Sequence, residues 1–142
     1  MCDNENISAS ETLKLTKRLE KIFKQTQSLE DSDIIASYYM QGLANLCIKQ
    51  KNDEKTNSCK KTFERARIVA ENARYKKDDD IIGWYVTIYI YKMDGSNLDE
   101  VRSAFELLTD IMKRPNFLDD EFISYHYNYM KQLLKNAGIE IL

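Results

Sequence analysis

A segment of similar character occurs three times in this chain. The copies begin at Asp33 (DIIASYYMQGL), Asp80 (DIIGWYVTIYI) and Glu121 (EFISYHYNYMK), 47 and 41 residues apart. Each copy follows a cluster of acidic residues and continues with two apolar residues, a small residue and several aromatic residues. A similarity that returns at this spacing predicts that one structural unit recurs three times along the chain.

The middle copy taken alone is typical of a strand, because Tyr85, Thr87 and Tyr89 alternate with Val86 and Ile88. The three copies together favour a helix. Starting from the second apolar residue of each copy, steps of four, three and four residues reach twelve positions. Eleven of them carry a large apolar or aromatic side chain and one is glycine, which is the pattern of a buried helix face. The positions are Ile35, Tyr39, Gly42, Leu46, Ile82, Val86, Tyr89, Met93, Ile123, Tyr127, Met130 and Leu134.

The acidic clusters mark the predicted helix starts. A carboxylate at a helix N-terminus accepts from unpaired N–H groups and faces the positive end of the macrodipole. Consecutive carboxylates on a helix point in different directions, so we predict no metal site there. The clusters are Glu30, Asp31 and Asp33; Asp78, Asp79 and Asp80; and Asp119, Asp120 and Glu121.

The third position after the start of each copy is a small residue, Ala36, Gly83 or Ser124. This small residue predicts that a neighbouring helix comes close.

These patterns predict an all-α fold of three antiparallel helical hairpins, either an α-solenoid or a compact helical bundle. With one proline and four glycines, the chain has too few turn residues for a β-sandwich or barrel. We predict a flexible N-terminus over residues 1–8 and a single domain over 9–142. The six predicted helices cover residues 9–28, 31–50, 55–77, 79–93, 97–113 and 119–136, with Asn97 or Ser96 capping the fifth.

The stretch AFELLTDIMKRPNF, residues 104–117, resembles the second helix of a tetratricopeptide repeat, with its small and aromatic positions and its closing Pro115. The stretch CKKTFERARIVAENA, residues 59–73, resembles it through Phe63, Ala66 and Ala70. This resemblance implies helical hairpins that bind a peptide or a partner protein in a groove. In length and in its Asp, Ile and Tyr content the chain is also similar to small Bcl-2-like proteins of poxviruses. That second resemblance implies a helical bundle that blocks a host or pathway protein.

The residues with reactive side chains do not form a recognisable catalytic motif. His126 is the only histidine and lies between two tyrosines on a predicted helix. The sequence contains no metal-binding, phosphate-loop, dinucleotide or nucleophile-elbow motif. We therefore predict a non-enzymatic protein with no metal and no cofactor, and an enzyme that uses His126 is the alternative.

Charge and cysteine content bear on partners and location. The net charge of −2 with mixed signs predicts no nucleic-acid partner. The N-terminal residues have no apolar signal region and no stretch approaches a membrane span, which predicts a cytoplasmic protein without a membrane partner. Cys2, Cys47 and Cys59 form no CxxC pair and are predicted to be free thiols, with a Cys47–Cys59 disulfide as the alternative.

The aromatic residues supply the candidate binding site. Eight of the nine tyrosines and the only tryptophan lie in the second helix of each predicted pair. Beside the apolar stripe runs a face that combines aromatic rings with polar groups, as protein-binding surfaces do. The competing interpretation is that this face is a second packing seam. The predicted partner-binding residues are Tyr38, Gln41, Trp84, Tyr85, Tyr125, His126 and Tyr129.

Overall fold

The computed structural model describes residues 9–30 and 32–140, and within these ranges the only regular structure is helical. The prediction of an all-α fold is therefore confirmed. The predicted flexible N-terminus, residues 1–8, lies outside the described residues, as does Asp31. The helices are α1 (Ala9–Thr26), α2 (Ser32–Asn52), α3 (Thr56–Ala70), α4 (Asp79–Lys92), α5 (Leu98–Ile111) and α6 (Glu121–Asn136), with a 3₁₀ turn at Pro115–Phe117.

The segment that alternates like a strand is the helix α4. Its buried residues Ile81, Ile82, Tyr85, Val86, Ile88 and Ile90 lie on more than one side of the helix. Both α2 and α3 pack against α4. A helix covered on several sides is apolar nearly all round, which removes the usual polar face and produces the strand-like pattern.

Acidic and polar side chains cap three of the helices, as the sequence predicts. The side chain of Asp78 accepts a hydrogen bond from the backbone N–H of Ile81 at 3.1 Å before α4. Asn97 caps α5, and Asp120 caps α6 by accepting from the N–H of Ile123 at 3.0 Å. Each cap satisfies a backbone donor that has no partner inside its own helix.

The third helix ends at Ala70, seven residues before the predicted end at residue 77. Asn72 stops it, because its side-chain oxygen accepts from the N–H of Arg74 at 2.9 Å and so offers the backbone an alternative to the helix. Tyr75 follows in the turn and is only 1% exposed. The predicted boundary was wrong because burial of Tyr75 in the core outweighs local helix propensity.

The described residues form two compact units, divided between Lys92 and Met93: helices α1 to α4 belong to the first and helices α5 and α6 to the second. In the first unit α2 packs against α1, α3 and α4, and α3 also packs against α4. Both stacked hairpins and a compact bundle produce this set of contacts. Its core includes Met40, Leu43, Leu46, Ile81 and Ile88, all at most 1% exposed.

In the second unit α5 packs against α6. The aromatic ring of Phe105 stacks on that of Tyr127, with ring centroids 4.9 Å apart. Val101 and Leu108 on α5 and Met130 and Leu134 on α6 are at most 1% exposed. The spacing is i, i+4, i+7 for Val101, Phe105 and Leu108 and i, i+3, i+7 for Tyr127, Met130 and Leu134, so each set lies on one face of its helix.

Tyr75 lies in the turn after α3 and contacts the end of α1 and the start of α2. Its hydroxyl lies 3.0 Å from the side-chain hydroxyl of Ser32, and its ring lies 6.0 Å from the ring of Phe23. The neighbouring Arg74 guanidinium donates to the backbone carbonyl oxygens of Gln27 at 2.5 Å and Leu29 at 2.6 Å. The turn after α3 is thereby fixed to the turn after α1.

Close approach of α1 to α2 occurs at Gly42. A Cβ atom at this position would lie 3.1 Å from Cδ1 of Leu19 and 3.4 Å from Oγ1 of Thr16. The Thr16 hydroxyl, which donates to the carbonyl oxygen of Thr12 at 2.7 Å, lies 3.3 Å from the carbonyl oxygen of Gly42. Of the small residues singled out by the repeat, Ala36 is fully buried, whereas Gly83 and Ser124 are half-buried.

We expect the substitution Gly42→Leu to lower the free energy of unfolding by about 1–3 kcal/mol, because the larger side chain must displace Leu19 and Thr16. Gly42→Ala is the matched control. In that variant a gain of about 0.5–1 kcal/mol in helix propensity offsets the small displacement of Leu19. Urea denaturation of both variants measures the difference, and a leucine variant at least as stable as the alanine variant would contradict the close approach.

Candidate functional site

The seven predicted partner-binding residues divide by exposure. Tyr38 is 60% exposed, Tyr125 67% and Tyr129 48%, which are high values for large side chains. Gln41, Trp84 and His126 are half-buried. Tyr85 is buried, with 9% of its surface exposed. Tyr38, Gln41, Trp84 and Tyr85 belong to the first unit, and Tyr125, His126 and Tyr129 belong to the second.

Tyr38 and Gln41 line a groove between the first two helices, here called the α1–α2 groove. Its volume is about 160 Å³. Residues at i, i+3, i+4 and i+7 share one helix face, and each helix contributes four such residues. Gly42 is one of them, at the close approach of α1 to α2 described above. The groove is lined by Thr12, Leu15, Thr16 and Leu19 from α1 and by Tyr38, Gln41, Gly42 and Asn45 from α2.

The α1–α2 groove combines apolar and polar groups. Leu15 is 49% exposed beside the exposed ring of Tyr38, while Gln41 and Asn45 add amide groups that can donate and accept. Small-molecule sites usually enclose about 300–1,000 Å³, so the groove is better matched to one anchoring side chain of a protein or peptide.

Tyr85 does not contribute to an exposed surface, and the prediction that places it on the binding face needs correction. Its ring lies 5.8 Å from the ring of Phe63 and 6.0 Å from that of Tyr89. The ammonium group of Lys92 lies 4.5 Å from the centre of the Phe63 ring. Burial raises the pKa of the Tyr85 hydroxyl to about 12. At this copy of the repeat the competing interpretation, a packing seam, is the right one.

Four aromatic side chains on the last helix form what we call the α6 aromatic face: Phe122, Tyr125, His126 and Tyr129. The ring of His126 lies 4.6 Å from that of Phe122 and 5.1 Å from that of Tyr125. Phe122 is 37% exposed and was missed at the sequence level. The signal that could have identified it is its position one helical turn before His126, on the same face.

The imidazole of His126 lies beside the aromatic rings of Phe122 and Tyr125. Partial burial lowers the pKa of its imidazole, so the ring is neutral at pH 7. General-base catalysis needs a base within hydrogen-bond reach of the proton that it removes. The neighbours of His126 described above, Phe122 and Tyr125, supply aromatic contact, which suits a binding surface.

The described residues, 9–30 and 32–140, contain no cluster of side chains that could bind a metal ion. No group of three or more His, Cys, Asp or Glu side chains there is arranged to hold a metal ion. Asp78 and Asp120 instead bind backbone N–H groups at helix starts.

A basic surface on α1 and α3 was not recognised in the sequence. Lys17, Lys21, Lys24 and Arg65 surround an open cavity of about 390 Å³ together with Glu20. Glu20 pairs with Lys24 at 2.9 Å and with Arg65 at 3.6 Å, so part of the positive charge is neutralised within the surface. The signal was the spacing of the three lysines, which are three or four residues apart on one helix.

The second unit contains a cavity of about 400 Å³ between α5 and the end of α6. Phe105, Leu134 and Ile139 provide apolar walls, and acidic side chains lie among the lining residues. None of its residues was predicted as a site. The lining residues are Arg102, Phe105, Glu106, Thr109, Asp110, Leu134, Ile139 and Glu140.

None of the helices in the described part of the chain has the length and apolar character needed to cross a membrane. No family model, curated protein or solved structure matches this chain. The α1–α2 groove and the α6 aromatic face are therefore the features on which a function can be argued.

Proposed function

We propose that this protein is a non-enzymatic interaction module that binds a peptide or a partner protein through the α1–α2 groove. The observation that carries the proposal is the exposure of Tyr38. This side chain is 60% exposed beside Leu15 and Leu19, whereas the adjacent Tyr39 is 3% exposed in the core. A tyrosine at the wall of a groove supplies a large apolar surface and a polar hydroxyl, the combination that is enriched at binding hot spots.

The tetratricopeptide-like hairpins that the sequence suggests would use such a groove for an extended peptide or a helix. The apolar walls would hold one anchoring side chain of the partner. The amides of Gln41 and Asn45 would bind polar groups beside that side chain. The α6 aromatic face is proposed as a second contact surface, carried by the second unit.

A helical-bundle modulator that blocks a host or pathway protein is the second candidate. The observation in its favour is that α2 packs against all three other helices of the first unit. The two candidates share the α1–α2 groove and differ in what binding achieves. An adaptor leaves its partner active, whereas a blocker covers the partner's own binding surface.

We also propose that the partner is a protein and not a nucleic acid. The basic surface on α1 and α3 contains Glu20, which neutralises part of it, and the whole chain has a net charge of −2. The free thiols of Cys47 and Cys59 suit a cytoplasmic location, where cysteines stay reduced.

The variant Tyr38→Ala tests the proposal. The protein and the variant are each used to capture partners from an extract of the native source, and the captured proteins are compared by quantitative mass spectrometry. Loss of a hot-spot tyrosine costs about 2 kcal/mol, which corresponds to roughly 30-fold weaker binding. We therefore expect at least one protein captured by the parent to be depleted in the variant.

The matched control is Ile68→Ala, which removes a 66% exposed apolar side chain of α3 that does not line the groove. This control should capture the same proteins as the parent. The double variant Tyr125→Ala and Tyr129→Ala tests the α6 aromatic face separately. Equal capture by the parent and Tyr38→Ala would contradict binding through the groove.

A further inference from the structure

Two cysteine side chains meet in the core of the first unit. The Sγ atoms of Cys47 on α2 and Cys59 on α3 lie 2.8 Å apart, and both are free thiols. Cys47 is fully buried and Cys59 is 3% exposed. A covalent S–S bond measures about 2.05 Å, so the two sulfur atoms need to approach by less than about 1 Å to form one.

We propose that Cys47 and Cys59 form a reversible oxidation site, at which a small peroxide converts the two thiols into a disulfide that joins α2 to α3. The pairing rests on geometry, because the two sulfur atoms lie 2.8 Å apart in the core and are hydrogen-bond partners of each other. The site is separate from the α1–α2 groove, so the inference stands independently of the proposed function.

The surroundings give the two thiols different roles. The two sulfur atoms share a hydrogen bond that either thiol can donate. When Cys47 donates, this bond lowers the pKa of Cys59; burial opposes that shift, and the positive charges of Lys51 and Lys92 add to it. The same hydrogen bond and burial raise the pKa of Cys47. Cys59 is 3% exposed in the first turn of α3 and Cys47 is fully buried, so Cys59 is the thiol that peroxide reaches first and Cys47 is the thiol that completes the bond.

The reaction balances with hydrogen peroxide as the oxidant. The Cys59 thiolate attacks one peroxide oxygen, the O–O bond breaks, and the departing hydroxide takes up a proton to become water. The sulfur of Cys47 then attacks the sulfur of Cys59–SOH, the S–O bond breaks, and the Cys47 proton leaves with the oxygen as a second water. Two sulfur atoms are oxidised and two peroxide oxygens are reduced.

Peroxide is close to water in size, and Cys59 lies in the first turn of α3, whose start at Thr56 follows an exposed turn. Local opening at a helix end is less costly than opening the core, and it can admit such a molecule. In a reducing compartment the pair would return to thiols, as transient regulatory disulfides do.

The test uses the full chain with Cys2→Ser, so that only the two core thiols remain. The dose of peroxide is the one that oxidises half of the N-acetylcysteine in a parallel sample, which serves as a reference thiol. After quenching, the protein is denatured, alkylated with N-ethylmaleimide and weighed by mass spectrometry. We expect most of the protein to carry no alkyl group and to be lighter by two hydrogens, and dithiothreitol should restore two alkylated thiols.

Tryptic mapping should show residues 25–49 linked to residues 56–60. The disulfide should raise Tm by roughly 5 °C or more, because it restricts the unfolded chain. In the further variant Cys47→Ser, oxidation should stop at a sulfenic acid on Cys59 that dimedone traps. The proposal is overturned if both thiols of the Cys2→Ser protein are still alkylated after peroxide, or if Cys59 is oxidised without linkage to Cys47.

Discussion

Replacing Tyr75 by alanine is expected to lower the free energy of unfolding by about 3–5 kcal/mol, the cost of removing a large aromatic side chain from a core. Tyr75 is 1% exposed, and its ring contacts Phe23 on α1. Its hydroxyl also lies 3.0 Å from that of Ser32, so the truncation leaves both a cavity and a buried hydroxyl that has lost this partner. Urea denaturation followed by circular dichroism measures the loss.

The matched control is Tyr75→Phe, which keeps the ring and removes only the hydroxyl. A single intramolecular hydrogen bond contributes about 0.5–1.5 kcal/mol net, so this variant should lose no more than about that amount. A loss below about 1 kcal/mol for Tyr75→Ala would show that the turn between α3 and α4 is not fixed to the core.

The variant Tyr85→Ala is expected to lose about 3–5 kcal/mol of stability for the same reason. Tyr85 is 9% exposed, and its ring packs with those of Phe63 and Tyr89. The matched control is Tyr38→Ala, because Tyr38 holds the equivalent position in the first copy of the repeat and is 60% exposed. That control should lose less than about 1 kcal/mol, as exposed substitutions do.

Denaturation curves are measured for Tyr85→Ala and Tyr38→Ala under the same conditions. The loss of stability at each position shows whether the tyrosine belongs to a packing seam or to a binding face. If Tyr85→Ala kept the stability of the parent, its ring could not be part of the core described here. If Tyr38→Ala unfolded as readily as Tyr85→Ala, the α1–α2 groove would be a packed interior.

The helices of this chain follow from local chemistry, which is why the sequence predicts them. The steps of four and three residues through Ile82, Val86 and Tyr89 specify a helix face, and Asp78 and Asp120 cap helix starts through bonds that span three residues. The end of α3 is marked locally by Asn72, and it also depends on the burial of Tyr75, whose partners Phe23 and Ser32 are more than forty residues away in sequence. No local pattern indicates that Tyr75 is buried.

The candidate site is predictable only in part, because the repeat defines equivalent positions within each helix and says nothing about what covers them. Tyr38 and Tyr85 are equivalent in sequence. Tyr38 on α2 lines an open groove, whereas Tyr85 on α4 is covered by aromatic side chains that include Phe63 on α3. The role of Gly42 also depends on a neighbour, since Leu19 approaches it from α1. Exposure therefore follows from tertiary packing, which the aromatic pattern alone does not specify.

The central claim is that a partner binds through the α1–α2 groove. Isothermal titration calorimetry tests it most directly, by measuring the affinity of the captured partner for the parent and for Tyr38→Ala. Thermal unfolding of both proteins is recorded under the same conditions. Binding through the α1–α2 groove predicts a dissociation constant roughly 30-fold higher for Tyr38→Ala, with Tm within a few degrees of the parent. The same dissociation constant for both proteins would contradict the claim.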